Sequence, residues 1–89
     1  MATLQEMADQ LADDVLAAEI ELDDDRFFEK VAKVLMAASP TFQEAYMTSI
    51  RVRLAERRGR EFLEKALAAK RGEIEEEPVA PVDFGGMGH

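Results

Sequence analysis

The sequence predicts an all-α fold: a short αα-hairpin, a long third helix and a flexible acidic C-terminal tail. Three observations carry that reading. Apolar residues recur at helical spacing in three successive runs. Each run is bracketed by residues that start or stop helices. Of the five glycines and three prolines, four and two fall in the last eighteen residues, leaving the body almost free of breakers.

The first helix opens at a capping box. Thr3 stands three residues before Glu6, so hydroxyl and carboxylate can each satisfy the other's free backbone N–H. Leu4, Met7, Leu11, Val15 and Ala18 then recur on one face, with Ala8 and Leu16 beside them. The spacing predicts an amphipathic helix over about residues 4–18, with Asp9, Asp13 and Asp14 turned to water.

The second helix is expected to begin at Asp23 as its cap. Leu22 and Phe27 occupy the two positions of a hydrophobic staple. Asp24 and Asp25 would complement the helix dipole. Phe27, Phe28, Val31, Val34, Leu35 and Ala38 form the apolar face, with Lys30 and Lys33 on the other side. Ser39 and Pro40 predict a stop at Ala38 and an immediate restart, because serine caps a helix and proline suits its first position.

The third helix is expected from Pro40 to Arg71, stopped by Gly72. At about 100° per residue, its apolar side changes halfway. Phe42, Tyr46, Met47, Ile50 and Leu54 share one face; Val52, Ala55, Gly59, Phe62, Leu63 and Ala66 share the opposite one. Either the helix breaks near Gly59, or its two halves meet different neighbours. An interior glycine costs only about 1 kcal/mol, too little to force a break, so the expectation is a continuous helix. Its length would be about 48 Å, longer than a body of this size is wide. The back half would then need cover from outside the hairpin. Val52, Ala55, Gly59, Phe62, Ala66 and Ala69 alternate three- and four-residue steps, a heptad seam whose small residues permit close approach of a second copy.

The domain expectation is a helical body over residues 1–72 and a flexible acidic tail over 73–89. The tail carries five acids and no base, two prolines and an apolar bead at Phe84. Val82, Asp83 and Phe84 are its candidate docking residues, an extended peptide that another protein's groove would accept. Asp83-Phe84-Gly85 spells a kinase magnesium motif, but the chain has neither the glycine-rich phosphate loop nor the length that fold requires.

Charge is segregated beneath a net −8. Residues 1–25 hold nine acids and no base, and residues 51–72 hold eight bases and three acids. Blocks of opposite sign are expected to neutralise one another, within one chain or between copies. The acidic total opposes long-range attraction to phosphate backbones.

Chemistry finds little support in the residue types. The one histidine is His89, in the glycine-rich end, and Ser39 and Ser49 have no imidazole to activate them. Cysteine is absent, and Asp23-Asp24-Asp25 lacks the alternation and central glycine of a calcium loop. No enzyme activity, cofactor or metal is therefore expected. No apolar run reaches the roughly 20 residues of a membrane span, and the N-terminus lacks a signal peptide's basic start, so a cytoplasmic location is expected.

The functional expectation is a non-catalytic helical assembly protein that binds itself through the third helix and also binds another protein. Val52, Ala55, Gly59, Phe62, Leu63 and Ala66 are the interface candidates. Arg53, Arg57, Arg58 and Arg60 are the charged partner-binding candidates, aimed at the acidic first helix or at a partner's acidic face. The alternative is a nucleic-acid-binding regulator using the same basic stripe. A third reading is a monomeric inhibitor that offers its acidic first helix to a basic target.

Overall fold

The computed structural model describes residues 1–72. They form three helices and, among the described residues, no strand: α1 over Leu4–Leu22, α2 over Phe27–Ala38 and α3 over Pro40–Arg71. The expected tail, with Val82, Asp83 and Phe84, lies outside the described residues. The chain divides into two units, the first spanning Met1–Gly59 and the second beginning at Arg60.

The capping box of α1 is present in both directions. The Glu6 N–H donates to Thr3 Oγ1 at 3.0 Å, and the Thr3 N–H donates to Glu6 Oε1 at 2.9 Å. The buried face of α1 differs from the expected stripe. Ala8, Ala12, Val15, Leu16 and Glu19 are buried, whereas Leu4 and Met7 are exposed. Two alanines one turn apart let a neighbour's backbone come close, so the face with the smallest side chains is the one turned inward.

The α1–α2 connection corrects the expected boundary. α1 runs a further turn to Leu22, and Asp23 is its left-handed C-cap at φ 54°. Aspartate visits this region more readily than most side chains. The starting role expected of Asp23 falls to its neighbour. Asp24 Oδ1 accepts the Arg26 N–H at 3.1 Å, and the Asp24 carbonyl accepts the Phe27 N–H at 3.3 Å. The cap residue Arg26 contributes no side-chain bond. Instead the buried Glu19 carboxylate of α1 accepts the Phe28 N–H at 2.7 Å, so one helix satisfies the open end of the next.

The Ser39-Pro40 restart is as expected. Ser39 is extended, and its Oγ accepts the Phe42 N–H at 3.2 Å. α3 continues without a break through Gly59 to Arg71, where Gly72 at φ 77° ends it.

The core of the first unit is Ala8, Ala12, Val15, Leu16, Ala32, Tyr46 and Ile50. Leu11, Phe27, Phe28, Val31, Leu35, Phe42 and Leu54 pack against it half-buried. Tyr46 and Ile50 have no exposed surface. The Tyr46 hydroxyl donates to the Phe28 carbonyl at 3.0 Å, which lets a phenol occupy the centre of an apolar cluster. In the second unit the described residues are the C-terminal part of α3, on which Phe62, Leu63 and Leu67 are exposed and Ala68 and Ala69 are half-buried.

Candidate functional site

Two features of the first unit bring chemistry-bearing side chains together. One is a polar clasp between α1 and α3. Asp9 and Asp13 lie one turn apart on α1, and Ser49 and Arg53 lie one turn apart on α3. Ser49, 2% exposed, donates to Asp9 Oδ1 at 2.8 Å. Arg53 Nε donates to Asp13 Oδ1 at 2.6 Å, and its Nη1 donates to Ser49 Oγ at 2.5 Å. Arg53 Nη1 also lies 3.7 Å from Asp9 Oδ1.

The Ser49 hydrogen bond, aided by Gln5, holds the Asp9 carboxyl below its ordinary pKa. The Arg53 guanidinium does the same for Asp13, and Asp13 in turn raises Arg53. Ser49 is thus a donor inside an ion-pair cluster, bonded to a carboxylate and a guanidinium. Asp13 is exposed, as expected, and Asp9 is half-buried; each also bonds a side chain of α3. The repeated four-residue spacing on the two helices was the signal available in the sequence, but which rungs meet depends on helix register.

The second feature is a shallow groove beside the clasp. One part, of about 280 Å³, is lined by Asp13, Leu16, Ala17, Ile20, Arg53 and Arg57, together with Glu56. The other, of about 300 Å³, shares Leu16, Ile20 and Arg57 and reaches Glu19 and Asp23–Asp25. Its lining combines apolar Leu16 and Ile20 with side chains of both charges. Among the described residues no group of three or more His, Cys, Asp or Glu side chains is placed to hold a metal ion. No helix among them is long and apolar enough to cross a membrane.

The interface candidates are all exposed: Val52, Ala55 and Gly59 in the first unit, and Phe62, Leu63 and Ala66 in the second. Val52 is 59% exposed, and Phe62 and Leu63 are each 48% exposed. A Cβ added at Gly59 would meet nothing within 4 Å. The four charged candidates separate. Arg53 is drawn into the clasp and is only 28% exposed. Arg57 lines the groove, and Arg58 and Arg60 are exposed on the surface of α3. Asp9, Asp13, Glu19 and Ser49, to which pattern reading gave no contact role, make polar contacts between helices.

No protein-family model, no curated protein and no solved structure matches the chain.

Proposed function

We propose that the chain is a non-catalytic helical assembly protein of the cytoplasm, self-associating through the outward face of α3 and joining another protein. The observation that carries this reading is the exposure of Phe62 and Leu63 on a helix whose same face bears Ala55, Gly59 and Ala66. Burying a large apolar side chain completely is worth about 1.5–3 kcal/mol, and Phe62 and Leu63 have roughly half of that left to gain. Four such side chains across a two-fold pair would supply about 3–6 kcal/mol, set against an association cost of at least about 4 kcal/mol. Self-association is therefore weak and concentration-dependent unless the second protein adds to it.

The pairing of Arg53 with Asp13 and Asp9 favours this reading over the nucleic-acid alternative, because it neutralises one member of the basic stripe within the chain. Light scattering over a wide concentration range tests the proposal. Mass should rise with concentration for the wild-type chain and stay at the monomer value for Phe62→Glu. A wild-type chain that remains monomeric throughout overturns it. Duplex DNA bound at low salt and released steeply as salt rises would support the alternative instead.

A further inference from the structure

The groove lined by α1 and α3 lies wholly within the first unit and carries an excess of negative charge. Its acids are Asp13, Glu19, Asp23, Asp24, Asp25 and Glu56; its bases are Arg53 and Arg57. Pairing within the chain removes only part of that excess. Asp13 is held by Arg53 and Asp24 by Lys30, whereas Asp23 and Asp25 are in no salt bridge among the described residues. Ile20 lines both parts of the groove and is 82% exposed. An uncovered isoleucine beside such carboxylates calls for an occupant that is apolar and basic at once.

Residues 60–71 of α3 have that chemistry. They hold four bases and two acids, and Phe62, Leu63 and Leu67 among them are exposed. At about 100° per residue these three share one side of the helix with Ala66. Lys70 lies on that side, Arg60 and Arg71 border it, and Glu61 lies opposite. Lys65 and Glu64 fall further round, one on each flank. Residues 73–89 hold five acids and no base, so the groove repels them. The unbroken α3 carries both Arg57 of the groove and residues 60–71, and a helix does not double back on its own wall, so a second copy has to supply the segment.

We propose that residues 60–71 of one copy dock in the acidic groove of another, with their leucines against Ile20 and their bases toward Asp23 and Asp25. The inference rests on the self-association proposed above and names the surface that the exposed side of α3 meets.

A pair of complementary variants tests the docking. Ile20→Lys spoils the groove and leaves the segment intact; Leu63→Glu spoils the segment and leaves the groove intact. Both positions are exposed, and far-ultraviolet circular dichroism checks that each variant keeps its helices. Asp25→Lys and Leu67→Glu take their places should either unfold. By light scattering, each variant alone should self-associate at least about tenfold more weakly than the wild-type chain, as expected for the loss of one buried apolar side chain. Mixed in equal amounts, the two should associate more strongly than either alone, because one brings a sound segment and the other a sound groove. A groove variant that associates as strongly as the wild-type chain, or a mixture no better than its parts, overturns the docking alone and leaves α3 to pair with α3. A wild-type chain that stays monomeric at every concentration overturns the self-association and the docking with it.

Discussion

Arg53 on α3 holds Asp13 on α1 by two nitrogens, Nε at 2.6 Å from Oδ1 and Nη2 at 3.5 Å from Oδ2. The two residues are 40 apart in sequence and belong to segments of opposite charge. The same guanidinium touches Ser49, whose hydroxyl reaches Asp9, so one cation registers two turns of α1 against α3. The pair is partly open to water and therefore selects a register more than it stabilises the fold.

The clasp makes the fold sensitive to acid. Asp9 and Asp13 both titrate below their ordinary value of 3.8 in the folded chain. Their contribution is present above the unfolded value and is lost as pH falls through the folded ones. Urea midpoints should therefore be level around neutral pH and drop progressively below about pH 4. Asp13→Asn should flatten that drop at a small cost at neutral pH. An unchanged acid limb in this variant would mean that other carboxylates govern it.

Tyr46 makes the fold sensitive to base. Burial, aided by the negative charge of Glu19, pushes its phenol up to about 12. The unfolded chain releases this proton near its ordinary value of 10.0 and the folded chain does not, so stability should fall as pH rises from there through about 12. Tyr46 is the only tyrosine, so phenolate absorbance reads it without interference. Tyr46→Phe should remove the alkaline slope and cost about 1 kcal/mol for the lost bond to the Phe28 carbonyl.

Glu19 caps α2 from another helix, and its removal should show as a specific loss. Glu19→Ala leaves the Phe28 N–H without its carboxylate and should destabilise by about 1–3 kcal/mol in urea unfolding. Glu19→Gln keeps an acceptor oxygen and should recover much of that loss. If both variants unfold alike, the charge of Glu19 matters and its hydrogen bond does not.

Gly59→Ala separates the stability of α3 from its use. The new methyl enters open space and should favour the helix by about 1 kcal/mol, raising the melting temperature of the dilute chain. If a second copy approaches closely there, the same methyl should weaken self-association in light scattering. A variant that is more stable and equally self-associating would remove Gly59 from the interface.

The start of α1, the Ser39-Pro40 restart, the span of α3 and its stop at Gly72 were legible in the sequence. Each depends on a backbone N–H or carbonyl satisfied within a few residues, by Thr3, Ser39 or a glycine free of Cβ strain. The role of Asp23 was not legible, because an aspartate can start a helix or, in the left-handed region, end one. The opposed faces of α3 were legible from spacing alone, whereas the inward face of α1 was not: periodicity favours Leu4 and Met7, and close packing favours Ala8 and Ala12.

By itself, then, the sequence determined the helices, most of their ends and the outward face of α3, since propensity, capping and periodicity act over one or two turns. Only the tertiary structure decided that Glu19 caps α2, that Tyr46 is the centre of the core and that Arg53 closes on Asp13. Those contacts join residues between 9 and 40 positions apart, and which side chains meet across such a gap follows from how two helices slide and rotate against each other, a choice made by packing volume rather than by any local preference.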